Sequence, residues 1–338
     1  MRIGFLLPGN YGLAGPGNGV RHQAEALVRE LEKLGHAVTK LDPWRAETAE
    51  HFDVVQFFVG GYAHERIEVR LHGAGVTVFA PIIDTNVPNW LYRASAVLGD
   101  IHPKIRTLQG LYRHQARMAD GVMVPSRFAH RRVVGGLGIS ADKVRIVLNG
   151  IDPSAARGHE EDLERFRLPD DFLLFVGAYG NPRKNVRRLI EAARSLGHPL
   201  VIAGSTGPAE EAQRVRRAAE RAGSVHFLGF VSDRERDALY RACRALCLPS
   251  IYEGTGLAAL EAAAAGTSVV VTERGGPPDY FGEWVDYVDP YDVSSIRRAI
   301  VRAWEEEEAP TGLVRQVREE LTWENSARQL LAFYEDLL

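Results

Sequence analysis

Short runs of β-branched and aliphatic residues recur along the chain, separated by longer stretches whose apolar positions repeat every three or four residues. Positions 3–7, 37–41, 54–58, 76–82, 121–124 and 144–147 read as strands. Between the first two, Ala24, Leu27, Val28, Leu31 and Leu34 repeat at helical spacing, and Gly35 stops the helix. A polar stretch over 152–167 then breaks the alternation and reads as a linker. The pattern restarts with strands predicted at 172–176, 200–203, 225–228, 245–248 and 269–271; after Asp289 only helical patterns remain, ending in an amphipathic segment over 323–338. Strands alternating with helices predict parallel sheets covered on both faces. The expected fold class is therefore α/β, with two Rossmann-like domains over 1–155 and 156–318 and a closing helical segment over 319–338. Open parallel sheets bind ligands beyond the carboxyl ends of their strands, so two such sheets facing each other are expected to place the site in a central cleft.

Composition narrows the function without naming it. The 338 residues are 45% apolar and 25% charged, and no apolar run reaches the roughly 18 residues of a membrane span. The first residues lead straight into a strand without a cleavage pattern, so a cytoplasmic location is expected. A net charge of −3 supplies no overall attraction to nucleic acid, so any anion has to be bound by local groups. Cys243 and Cys247 read as buried small apolar residues rather than a disulfide or metal pair. Of 41 basic residues only five are lysines, at 33, 40, 104, 143 and 184.

Three loops carry candidate chemistry. The first follows strand 3–7 and is glycine-rich from Gly9 to Gly19, including Gly17 and Gly19; its backbone N–H groups can approach an anion at the start of the next helix, but it lacks the dinucleotide fingerprint. The second follows strand 172–176 and ends in Asn181-Pro182-Arg183-Lys184-Asn185. Adjacent cations at a helix start oppose the helix dipole unless an anion offsets them, and a diphosphate is such an anion. The third runs Pro249-Ser250-Ile251-Tyr252-Glu253-Gly254-Thr255-Gly256-Leu257 and on to Glu261. Its carboxylates can accept hydrogen bonds from vicinal hydroxyls, and the N–H groups of Gly254, Thr255, Gly256 and Leu257 can donate to oxyanions. Arg106, Arg113 and Arg117 share one helix face, a candidate for peripheral contact with an anionic lipid surface or acceptor.

Together with Ala119-Asp120-Gly121 and Asn149-Gly150, these motifs resemble family 4 of the glycosyltransferases, the retaining group with the GT-B fold, also described as glycosyl transferases group 1. The resemblance covers most of the chain. It implies that Arg183 and Lys184 hold the diphosphate of a nucleotide-sugar donor, that Glu253 contacts the sugar and Glu261 the ribose, and that Phe230 and Val231 lie by the base. It also implies that the last helix crosses back onto the first domain. One departure stands out: where the family often has a histidine near the reacting sugar, this chain reads Ala80-Pro81-Ile82-Ile83-Asp84-Thr85-Asn86. Asp84 is the expected polar substitute, with His102 and His114 as other candidates.

Breaking a sugar–diphosphate bond puts negative charge on the leaving oxygen, and Arg183 and Lys184 are suited to stabilise it. The sequence contains no Asp-x-Asp pair to hold a divalent ion on the donor, so metal-independent transfer without a cofactor is expected. The resemblance further implies same-face transfer to a glycan, lipid or small-molecule acceptor. A nucleotide-sugar epimerase and a catalytically silent sugar-nucleotide-binding subunit are the alternatives.

Overall fold

In the computed structural model the described residues are 1–7, 19–41, 51–58, 73, 75–83, 87–101, 107–153, 159–306 and 308–338. They form two compact units, one of Met1–Asn149 with Trp323–Leu338 and one of Gly150–Thr322.

The first unit holds strands β1 (Arg2–Leu6), β2 (Ala37–Leu41), β3 (Val54–Phe57), β4 (Val76–Phe79), β5 (Gly121–Val124) and β6 (Val144–Ile146). They pair in the order β2-β1-β3-β4-β5-β6, every pair parallel. Strand β4 stops short of its predicted end because Pro81, two residues on, has no N–H to give the ladder. Phe57 and Phe79 stack at 4.9 Å between ring centres inside a core that also takes Tyr92, Tyr112 and Val133. The helix Trp323–Leu337 closes this unit against the helix Gly19–Lys33. Tyr334 donates to the Gln56 Oε1 in the middle of the sheet at 2.6 Å, and Ser326 to the Leu148 carbonyl at 2.6 Å. Gly121 is required beneath this helix, because a Cβ there would come within 2.6 Å of the Phe333 ring.

The second unit holds β7 (Leu173–Val176), β8 (Leu200–Ala203), β9 (Val225–Gly229), β10 (Ala245–Leu248), β11 (Ser268–Thr272) and β12 (Asp286–Val288), again all parallel, in the order β12-β11-β10-β7-β8-β9. Counted within the unit this is the 3-2-1-4-5-6 order of a doubly wound nucleotide-binding fold. Strand β12 escapes the sequence pattern because it is three residues long and only Val288 is buried. The polar stretch expected as a linker contains a 3-10 helix, Glu160–Phe166, which buries Leu163 and ties Arg165 to Glu235 at 2.6 Å. Cys243 and Cys247 are buried and free. Among the described residues no helix is long and apolar enough to cross a membrane.

Candidate functional site

The strand order of the second sheet reverses between β7 and β10, so the connections leaving their carboxyl ends diverge there, the place where open parallel sheets take ligands. Both connections carry the charged residues singled out from sequence. The β7 connection turns through Gly177 and reaches a short 3-10 helix, Pro182–Lys184, whose Arg183 N–H is capped by the Asn181 side chain at 3.0 Å. Asn185 follows in the left-handed conformation, φ 58°, and its buried amide donates to the carbonyls of Pro249 at 2.9 Å and Pro290 at 2.7 Å. The Ile251 N–H donates to the Arg183 carbonyl at 2.8 Å. The two connections are thus fastened to each other through backbone groups before any charge is counted.

Glu253 sits on the β10 connection, held by its own backbone: its N–H donates to Arg274 at 3.1 Å and its carbonyl accepts from Gly276 at 3.0 Å. Between those partners Gly275 has φ 109°, and a Cβ there would collide with the Glu253 carbonyl. The Glu253 carboxylate accepts from Lys184 Nζ and Ser250 Oγ, both at 2.6 Å, and from Arg183 Nη1 at 3.3 Å; the same Nη1 donates to the Tyr252 carbonyl at 2.7 Å. Only 5% of Glu253 is exposed. Burial opposes its ionisation, but the charges of Lys184 and Arg183, with the Lys184 and Ser250 hydrogen bonds, outweigh burial and hold its carboxyl below the usual range. The trio therefore carries one net positive charge. Beyond it, a Cβ added at Gly254 would meet open space, and Thr255 is buried with its hydroxyl 3.4 Å from that of Tyr280. Gly256, at φ 82°, then starts the helix Leu257–Ala264, which has no side-chain cap, so its first turn can serve an outside acceptor.

Glu261 lies within that helix and belongs to a second cluster. Its Oε2 accepts from the Tyr240 hydroxyl at 2.9 Å and lies 3.3 Å from Arg236 Nε. Arg236 also meets Asp233 at 2.6 Å and Asp237 at 3.4 Å. One guanidinium serves three carboxylates here. Burial, reinforced by the charges of Glu261 and Asp233, pushes the Asp237 carboxyl up to about 6 despite Arg236. After β9, Phe230 is 62% exposed while Val231 is buried, so of the two only Phe230 offers a surface to a ligand.

Arg183, Lys184 and Glu253 are therefore brought together, and Glu261 is placed with Arg236 and Tyr240. Gly17, Asp84, His102 and Arg106 lie outside the described residues. Gly19 is the exposed first residue of its helix; His114 and Arg117 are exposed and Arg113 half-buried on the helix Leu108–Met118. The sequence reading passed over Ser250, Arg236 and Tyr240. Ser250 stands three residues before Glu253, and Arg236 and Tyr240 are four apart on the helix Asp233–Ala242, a spacing that puts them on one face.

The sequence model of the family "Glycosyl transferases group 1" matches residues 160–320, which contain the whole of both clusters. The serotype-specific mannosyltransferase WbdA of Escherichia coli is 32% identical over 207 residues, 56% of this chain and 25% of that protein. The O-antigen chain mannosyltransferase B of Escherichia coli is 29% identical over 278 residues, covering 73% of this chain and 71% of that one. The chain thus spans about a quarter of the length of WbdA. Among solved structures, the sucrose-phosphate synthase of Thermosynechococcus elongatus superposes with a TM-score of 0.80 at 17% identity, covering 100% of this chain and 99% of that one. HepE of Anabaena, solved in complex with UDP and glucose, gives 0.67 at 15% identity over 99% and 100% of the two chains. The fold is that of the GT-B proteins, two Rossmann-like units with parallel six-stranded sheets.

Proposed function

We propose that the chain is a member of the glycosyl transferases group 1 family, whose model matches residues 160–320, and that it transfers a hexosyl group from a nucleoside-diphosphate sugar to an acceptor, with retention and without a metal ion. The observation that carries the proposal is the placement of Lys184 and Arg183 around Glu253 at the reversal of strand order, with one positive charge in excess. In the proposed cycle Glu253 keeps both cations ordered until the donor arrives. The cations then turn to the diphosphate, and the carboxylate accepts hydroxyls of the sugar. Charge develops on the leaving oxygen as the glycosidic bond breaks, so Lys184 and Arg183 stabilise the transition state more than the ground state, and the N–H groups opening the helix Leu257–Ala264 add to them. Glu261, aimed by Tyr240 and Arg236, accepts the ribose hydroxyls, while the exposed face of Phe230 stacks on the base. The departing phosphate takes the acceptor proton on the same face of the sugar. Because protein cations carry the charge balance, the reaction proceeds in the presence of a chelator.

The names of the relatives make mannose the first donor sugar and an O-antigen type glycan the first acceptor class to try, and HepE makes UDP the first nucleotide. Thermal melting against a panel of nucleoside diphosphates, followed by product analysis with the matching sugar donors, tests the proposal. The expected result is stabilisation by one nucleotide and a glycosylated acceptor. Isomerised donor formed without acceptor would replace the proposal with an epimerase; binding without hydrolysis or transfer would replace it with a silent subunit.

We attach peripheral membrane contact to the first unit on a separate observation. Trp90, Leu91 and Leu98 are exposed along one side of the helix Asn89–Ile101, which packs against the helix bearing Arg113 and Arg117. Apolar anchors beside the arginines of that helix, Arg113 and Arg117, suit an anionic bilayer surface. Sedimentation with anionic vesicles that is absent, or that ignores salt, would remove this part.

A further inference from the structure

A groove of the second unit lies away from its strand ends. Helices Val186–Leu196 and Ala209–Ala222 lie side by side, and a groove of about 470 Å³ runs between them. Its walls carry Arg187, Glu191 and Arg194 from one helix and Arg214, Arg217 and Arg221 from the other. Positions 187 and 194, and likewise 214 and 221, are seven residues apart, so each wall carries arginines whose Cα atoms are about 10 Å apart along its axis. Arg187 and Arg214 are engaged by Glu211, at 2.7 and 3.6 Å. Among the described residues Arg194, Arg217 and Arg221 make no ion pair. Arg217 and Arg221 are four apart on one helix and Arg214 and Arg217 three apart, spacings at which like charges repel. This concentration of positive charge occurs in a chain whose net charge is −3. A smaller, more enclosed hollow of about 340 Å³ shares Arg187 and Glu191 and continues toward Pro182 and Ile251, next to the Arg183–Lys184 turn.

We propose that this groove binds a soluble oligophosphate anion, at a place separate from the strand-end site. Three features select that chemistry. Guanidinium forks on both walls suit the paired oxygens of phosphate groups. Repetition over two helical turns suits an anion with several charges along its length rather than a single ion. The concave form, between two helices that rise on either side, admits a slender molecule and keeps out the flat face of a bilayer.

Tripolyphosphate is the probe, titrated by calorimetry into the whole chain, into Lys184→Ala to disable the strand-end site, and into Lys184→Ala that also carries Arg217→Glu/Arg221→Glu, the background used for every groove variant. Wild type and Lys184→Ala are expected to bind with similar affinity, and the double charge reversal at least about tenfold more weakly. Binding should fall steeply as salt rises, because the contacts are exposed charges. Unchanged affinity in the charge-reversed variant would overturn the proposal, as would loss of all binding in Lys184→Ala. Anionic vesicles that bind where tripolyphosphate does not would also overturn it. If the charge reversal does not melt cooperatively, Arg217→Gln/Arg221→Gln keeps the side-chain bulk and is expected to weaken binding at least about threefold; full affinity there refutes the site.

Discussion

Two acidic clusters of the second unit, each built around a buried carboxylate, face opposite demands. Around Glu253, two cations surround one carboxylate, and the acid is held in its charged form. Around Glu261, one arginine is shared among Asp233, Asp237 and Glu261, and the Asp237 carboxyl rises to about 6. Glu253 and Asp237 are both buried, whereas Asp233 is exposed and Glu261 half-buried; for the two buried acids the balance of cations and carboxylates around them separates the outcomes. The first cluster has positive charge left over for an incoming anion. The second has acceptor oxygens left over for hydroxyl donors. A sugar nucleotide presents both chemistries in one molecule, a diphosphate and a diol, and the contrast between the clusters is what the proposed function rests on.

Removing Lys184 should break the contrast most severely. Lys184→Ala is expected to lower turnover by roughly 10²–10³-fold, the scale on which a positioned transition-state donor acts; rates in the wild-type range would separate the cation pair from the chemistry. Next in size, Glu253→Gln leaves two cations beside a neutral buried amide. Because Lys184 and Arg183 keep some solvent contact, the expected loss of ligand-free stability is about 2 kcal/mol rather than the larger figure for a fully buried pair. Added nucleoside diphosphate should then raise the melting temperature of this variant more than that of wild type; an equal rise would show that Glu253 does not compete with the ligand for the cations.

The Glu261 cluster is expected to answer more gently. Glu261→Gln should weaken nucleotide binding by about 1 kcal/mol, roughly fivefold, while turnover at saturating donor persists. Calorimetry with the nucleotide and with its 2′-deoxy form sharpens this, since the variant should discriminate less between them. A pH effect tests the same cluster from another side. The Asp237 carboxyl is raised in the folded chain to about 6 from an ordinary value of 3.8. The folded state therefore binds more protons than the unfolded one in that interval, and this group's contribution to stability is lost as pH rises from about 4 to about 6. Melting curves of Asp237→Asn should lack that slope; an unchanged slope assigns it to another group.

The same contrast explains how far the sequence could be read. The cation pair and Glu253 were legible because each stands in a short connection directly after a strand, where a charge among glycines has few structural uses. Eleven strands were legible because their apolar runs are flanked by turn residues, while β12, with a single buried side chain, left no pattern. Arg236 and Tyr240 were not legible as partners of Glu261. They come from the preceding helix, and a basic residue and a tyrosine on a helix full of charges look like a solvated face until the fold brings Glu261 against them. Ser250 stood in plain view, but nothing in its neighbours distinguishes a hydroxyl that steadies a carboxylate from one that caps a turn.

The closing helix has a consequence for how the protein is made. Its side chains complete the first unit, yet they are encoded after the entire second one. During synthesis the residues up to Asn149 leave the ribosome without Phe333 or Tyr334, and Gln56 waits for its partner while Gly150–Thr322 is translated, roughly ten to thirty seconds at ordinary elongation rates. The continuous second unit can close in that interval; the first cannot. Its unfinished sheet is the part of the nascent chain that most needs shelter from other apolar surfaces.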